Sequence, residues 1–213
     1  LVAYAVAAPD GRETLTRIRT PGSIWKLSLA AIWWEHGLGD RRIPCPEILE
    51  VGGRTIRHLG TPQATMSADE MLVTSCNTAA ARMALELRDR LGADGMRAAL
   101  ARYGFRERAA DSVPGGERDD AFWATSSSAW RGAMSPECPA VRVPATDDDA
   151  GWAMLAMGLE VELAPLHIAR FLQAIANDGV MQQPTVERRI AEDRSPGTRI
   201  MSTATAERLR AAM

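Results

Sequence analysis

The chain has 213 residues, 46% of them hydrophobic, with 25 lysines and arginines against 27 acids and a net charge of −2. That length and apolar content can bury a substantial core in one domain or two tightly packed lobes. The balanced charge gives no general pull towards nucleic acid or an acidic membrane, and no run of roughly 18 apolar residues reads as a membrane span.

Residues 1–8 are too short to cross a bilayer and carry no basic leader, so they read as a strand rather than a signal peptide. A turn at Pro9-Asp10-Gly11 and a second strand over 14–18 follow. Pro21-Gly22 is another turn signal. The apolar stretch 24–36 after it predicts a helix that ends at Gly37 and carries Ser23 in its first turn. Residues 38–66 read as irregular, because Pro44, Pro46, Gly52-Gly53 and Pro62 break them. Ser67 and Glu70 form a capping box that opens a short helix through Thr74. After Ser75-Cys76-Asn77 comes a helix with Ala79, Met83, Leu85 and Leu87 inward, stopping near Gly92, and then a short one over 94–102. Residues 107–151 are polar and loop-like, long enough to suggest a functional wall or lid. Pro165 opens an amphipathic helix over 166–177, capped by Gly179. A strand pair broken at Pro184 is expected over 180–190, and a last helix starts at Ser202 or Thr203.

The chemistry concentrates at Ser23 and Lys26. Residues three apart on a helix share a face, so the hydroxyl and the amine can meet, and a neutral lysine can take a serine's proton. One count sharpens this: of the 25 basic residues, Lys26 is the single lysine and the other 24 are arginines. Arginine keeps its proton in proteins, whereas a buried lysine can lose it. Moving a lysine pKa from about 10.4 to about 7 costs roughly 4–5 kcal/mol, so a site that does so points to a use for the free amine. The bland alternative is a helix-capping serine beside a snorkelling lysine. Ser75 and Asn77, between two helices, are equally what capping would require. The cysteines Cys45, Cys76 and Cys138 form no C-x-x-C, and His36, His58 and His167 show no ligand spacing with them. No metal or cofactor is expected. One disulfide plus a free thiol is open on this reading.

Pro21-Gly22-Ser23-Ile24-Trp25-Lys26-Leu27 resembles the P-G-S-x-x-K segment of penicillin-binding protein transpeptidase domains, and Ser75-Cys76-Asn77 resembles their S-x-N motif. Leu163-Ala164-Pro165-Leu166 and Ala174-Ile175-Ala176-Asn177-Asp178-Gly179 resemble the ends of the helix that packs behind the active site in that family. No K-T-G occurs. In the family it lies on a strand after such a helix, so the chain is expected to stop short of it, leaving one oxyanion donor unaccounted for.

The resemblance implies an α/β (α+β) fold over 1–213 as one domain. A helical lobe from about 23 to 179 would pack on a mainly antiparallel sheet built from 1–22 and 180–213. It implies Ser23 as nucleophile, Lys26 as its base, Ser75 as proton relay and Asn77 as the residue that orients Lys26 and holds the substrate amide. The reaction implied is D,D-transpeptidation of peptidoglycan stem peptides through an acyl-enzyme that β-lactams also form. The location implied is extracytoplasmic, with a membrane tether and a place in a cell-wall synthesis complex. A serine β-lactamase or D,D-carboxypeptidase is the enzymatic alternative, disfavoured for the lactamase because Glu160 and Glu162 lack the downstream asparagine of a deacylating loop. A silent scaffold or β-lactam sensor is the alternative of another class, and Lys26 argues against it. Relatives place a second cysteine near Gly52-Gly53-Arg54, where this chain offers only His58. Cys45 is therefore expected to be unpaired or bridged to Cys138.

Overall fold

The computed structural model describes residues 20–107, 140–163, 165–182 and 197–213. The strands expected within 1–20, Cys138 and most of the long polar loop lie outside the described residues.

Helix α1 (Lys26–Glu35) is the axis of the fold, and a 3-10 turn over Gly22–Trp25 leads into it. Every residue from Lys26 to Trp34 is buried, so α1 is a core helix with no solvent face. Around it pack α2 (Ala68–Thr74), α3 (Asn77–Arg102) and α6 (Thr203–Ala212). Ile32, Trp33, Met71, Met83, Leu87 and Leu209 meet in one continuous core, each fully buried apolar side chain contributing about 1.5–3 kcal/mol. The far end of α1 is fastened through Glu35, whose carboxylate accepts from Ser202 N at 3.0 Å and from Ser202 Oγ at 2.7 Å.

The helix starts follow the expected caps. Ser67 Oγ accepts from Glu70 N at 3.1 Å while the Glu70 carboxylate accepts from Ser67 N at 2.7 Å, a complete capping box. Ser202 caps α6. The break expected at Gly92 is a kink inside one long helix, with φ 67° and ψ 174°. Helix α5 (Pro165–Ala176) starts at the expected proline. One helix was not expected: α4 (Asp149–Ala156) begins where the acidic run ends, because Asp148 caps it by accepting from Gly151 N at 2.8 Å.

Residues 38–66 correct the irregular reading. They form β1 (Ile43–Cys45), β2 (Ile48–Val51), β3 (Arg54–Arg57) and β4 (Gln63–Met66), paired antiparallel as β1–β4 and β2–β3. Gly52 and Gly53, with φ 53° and 74°, make the two-residue turn that joins β2 to β3. Positive φ at both positions is what such a turn demands, so the glycines make a hairpin rather than interrupt one. Elsewhere β5 (Arg106–Glu107), β6 (Ala140–Val141) and β7 (Val161–Glu162) form a small sheet, parallel between β5 and β6 and antiparallel between β6 and β7. After α5, β8 (Val180–Met181) pairs antiparallel with β9 (Thr198–Arg199). The architecture is mixed helix and mainly antiparallel sheet.

The turn bearing Ser23 is braced from behind by an aromatic run, Trp25 on Phe105 at 4.9 Å and Phe105 on Phe171 at 5.4 Å between ring centroids. It is braced from the side by Gly158, which has φ 72° and where a Cβ would collide with Gly22 O and stand 2.8 Å from Trp25 Cβ. Gly158→Ala is therefore expected to cost about 1–3 kcal/mol through left-handed strain and overpacking against backbone. Thermal unfolding reads this as a fall in Tm of several degrees. An unchanged Tm would show that the two turns are not in contact.

Candidate active site

The site grows from two places where the backbone turns sharply. At the first, the 3-10 turn leaves Ser23 exposed and places Lys26 at the start of α1, only 1% exposed. At the second, Ser75 ends α2 in the left-handed region at φ 51° and ψ 39°, a conformation that costs a non-glycine residue about 1 kcal/mol or more. That turn lets Ser75 present both its hydroxyl and its own carbonyl to one neighbour. The neighbour is Lys26: Nζ lies 2.9 Å from Ser75 Oγ and 2.8 Å from Ser75 O. Asn77, the first residue of α3, brings Oδ1 to 2.6 Å from Nζ. Ser23 Oγ is 3.3 Å from the same nitrogen. The four residues singled out in the sequence thus converge on one amine.

The partner set can serve that amine with or without its charge. Burial lowers the Lys26 pKa from 10.5 to about 8, and none of its hydrogen-bond partners is a carboxylate. The Ser75 and Asn77 carbonyl oxygens can only accept, whereas the two hydroxyls can donate. A neutral amine has two N–H groups and one lone pair. In that neutral form the N–H groups can go to the two carbonyls, leaving the lone pair for a hydroxyl proton, whereas the charged form donates to the hydroxyls as well. The Asn77 amide is oriented for this by its other end, where Nδ2 donates to Arg57 O at 3.3 Å. The cluster can accept a proton from Ser23 and has a second hydroxyl, Ser75, through which to pass it on.

A family model for the penicillin binding protein transpeptidase domain matches residues 4–213. The chain belongs to the penicillin-binding protein transpeptidase family. Its fold is that of solved transpeptidase domains. The transpeptidase domain of Burkholderia pseudomallei penicillin-binding protein 3 superposes with a TM-score of 0.68 at 17% identity, over 96% of this chain and 55% of that one. Penicillin-binding protein A from Mycobacterium tuberculosis gives 0.67 at 23% identity, over 95% of this chain and 44% of that one. The same protein as its penicillin G acyl-enzyme complex gives 0.69 at 22% identity, over 95% and 44% of the two chains. The chain spans about half the length of these structures. No curated protein matches it.

Within this transpeptidase domain the cysteines depart from expectation. Cys45 is neither unpaired nor joined to Cys138. It forms a disulfide with Cys76, 31 residues away in sequence. The reason is packing: β1 runs along the start of α3, where Thr78 Oγ1 donates to Pro46 O at 2.8 Å, and this carries Cys45 onto the S-x-N turn. The middle residue of Ser75-Cys76-Asn77 is thereby anchored to a strand. Cys76 also caps α3, its sulfur accepting from Ala79 N at 3.3 Å. His58 joins this buried pair, its ring nitrogen and the two sulfurs lying within 4.8 Å of one another, a grouping that sequence spacing did not reveal. With both sulfurs in a disulfide, no thiolate is left there for a metal. Cys45, Cys76 and the Arg57 carbonyl are the supporting parts that motif reading missed. Only the position of Cys76 between the two motif residues hinted at them.

Proposed function

We propose that this chain carries the nucleophile and proton-transfer groups of a serine D,D-transpeptidase that cross-links peptidoglycan stem peptides and is acylated by β-lactams. The observation that carries the reading is the buried Lys26 amine, lowered in pKa to about 8 and set between Ser23, Ser75 and Asn77.

In the proposed sequence Ser23 Oγ attacks the carbonyl of a D-Ala-D-Ala bond while its proton moves to the Lys26 lone pair. The tetrahedral oxyanion faces the Ser23 N–H on the exposed turn, one of the two donors the chemistry needs. As the carbon–nitrogen bond breaks, the proton passes by way of Ser75 to the leaving D-Ala amine. The acyl group stays on Ser23 as an ester, and the amine of a second stem peptide resolves it. Asn77 Nδ2 is the group placed to hold the substrate amide. With a β-lactam the leaving amine remains tethered and the ester persists.

Hydrolytic release by a β-lactamase or D,D-carboxypeptidase is the second reading. Of the glutamates that could serve a lactamase, Glu160 pairs with Arg142 at 3.8 Å and Glu162 sits on β7. The disulfide supports an extracytoplasmic location, where such bonds persist. Among the described residues no helix is long and apolar enough to cross a membrane. Membrane tethering and a place in a cell-wall synthesis complex belong to this same proposal.

The test is mass spectrometry of the full-length protein after exposure to penicillin. A covalent adduct on the Ser23 peptide, lost in Ser23→Ala, is the expected result. The pH profile tests the base. Because the free amine is the active form, the acylation rate should rise from pH 6 and level off above about 8. A rate that is flat from pH 6 to 9 would remove Lys26 from that role.

A further inference from the structure

Cys45, His58 and Cys76 come from three different elements: the end of β1, the residue after β3, and the capping residue of α3. The two cysteines are fully buried and His58 is 6% exposed. A ring nitrogen of His58 and the two sulfurs lie within 4.8 Å of one another. The ring has a place made for it, since a Cβ at Gly60 would stand 2.7 Å from His58 Nε2. The His58 backbone N–H donates to Glu47 O at 2.9 Å, but among the described residues its ring has no hydrogen-bond partner. A buried imidazole left without a partner is costly, and it is aimed here at two sulfurs.

The disulfide ties up two of these three donors. Its Cα atoms are 6.9 Å apart, at the wide end of what such a bond spans. Two thiolates on one tetrahedral zinc ion stand about 3.8 Å apart, given Zn–S bonds of about 2.3 Å. Once the bond is opened, an ion can therefore sit between the sulfurs with little movement of β1 or α3. Cys76 is suited to the thiolate form, because it caps α3 and accepts from Ala79 N at 3.3 Å. Two thiolates also cancel the charge of a divalent ion, so the complex adds no net charge to a buried place. Sulfur and imidazole together favour zinc over hard cations that seek oxygen.

We propose that the reduced form of this chain binds one zinc ion through Cys45, His58 and Cys76, the metal replacing the disulfide as the tie between β1, β3 and α3. The exchange balances with a dithiol as reductant. The dithiol gives two electrons and two protons to the S–S bond and leaves as its own disulfide. Two cysteine thiols result, zinc displaces their protons as it binds, and water takes the fourth position. The location gives the tie its importance. Cys76 lies between Ser75 and Asn77, and His58 follows Arg57, whose carbonyl accepts from Asn77 Nδ2 at 3.3 Å. Either form of the tie thus flanks the active-site asparagine from both sides. The site goes beyond the acyl-transfer reading and does not depend on it, since metal uptake needs neither Ser23 nor Lys26.

The experiment reads metal uptake directly. Full-length protein carrying Cys138→Ser, which leaves Cys45 and Cys76 as the thiols of this domain, is reduced with a dithiol and desalted without air. It is then titrated with cobalt(II), a coloured stand-in for zinc. The expected result is a thiolate-to-cobalt charge-transfer band with the spectrum of a tetrahedral site, saturating at one ion per chain and bleached by zinc. Oxidised protein should show neither. His58→Asn should weaken the affinity of the reduced protein at least about tenfold. Zinc should raise the Tm of the reduced protein by several degrees and leave that of the oxidised protein unchanged. Should the reduced chain lose its fold without metal, zinc should restore the circular dichroism of the oxidised form. Reduced protein that takes up no cobalt, that binds it equally well with His58→Asn, or that zinc neither stabilises nor refolds would overturn the site.

Discussion

Lys26→Arg is expected to lower the rate of Ser23 acylation by penicillin 10²–10⁴-fold, the range usual for loss of a general base. Arginine holds its proton, so the lone pair that faces Ser23 disappears, and its planar fork does not fit a site built for a point donor. The environment raises the stakes, since Lys26 is only 1% exposed and the larger side chain must be forced in. Overpacking of this kind costs about 1–3 kcal/mol. Lys26→Met is therefore the paired variant, close in volume and equally without a base. It strands the Ser75 and Asn77 carbonyls, which also costs roughly 1–3 kcal/mol. Both proteins should remain folded by thermal unfolding at the assay temperature and both should lack the adduct. A Lys26→Met protein that acylates at the parental rate would leave Ser23 to another base.

Cutting the disulfide should have the largest effect on stability. For a loop of 31 residues the chain-entropy estimate is about 3–4 kcal/mol, so Cys45→Ala with Cys76→Ala is expected to lower Tm by roughly 10 °C. Acylation should fall as well, about tenfold or more at a temperature where the protein is still folded. The bond holds the residue between Ser75 and Asn77, and reacting groups misplaced by an ångström lose rate on that scale. Thiol titration in denaturant without reductant should return one free thiol, Cys138, and three after reduction. Three free thiols before reduction would show that the bond does not form.

The convergence of Ser23, Lys26, Ser75 and Asn77 was legible in the sequence in so far as each pair uses local rules. Ser23 and Lys26 are one helical turn apart, and Ser75 with Asn77 straddles a helix start, so each pair needs only backbone geometry to face one way. Helix boundaries were legible for the same reason: Ser67 with Glu70, Ser202, Pro165 and the kink at Gly92 act within a few residues. Whatever depended on distant packing was not. Pro44 looked like a breaker, yet it sits within β1, whose one partner among the described residues is β4 and which can therefore spare an N–H. Gly52-Gly53 was visible, but its meaning as a hairpin turn depended on recognising β2 and β3 on either side. The run Asp147-Asp148-Asp149 read as solvated loop until Asp148 proved to be a cap. The Cys45–Cys76 pairing arises only when β1 is laid along α3, which no spacing rule encodes.

The burial of α1 on every side also decides where this protein can change. From Lys26 to Trp34 each side chain is enclosed, so a larger residue meets overpacking and a polar one meets desolvation, each worth a kcal/mol or more. Against a total stability of about 5–15 kcal/mol, two such substitutions would use up much of the margin. Selection therefore finds little room beneath Ser23. Tolerated variation must come instead from the solvent-facing rim, where Arg54 and Arg57 stand exposed on the β2–β3 hairpin. A library of substitutions screened for folded, soluble protein should accordingly recover many along that hairpin and few in the helix that carries Lys26.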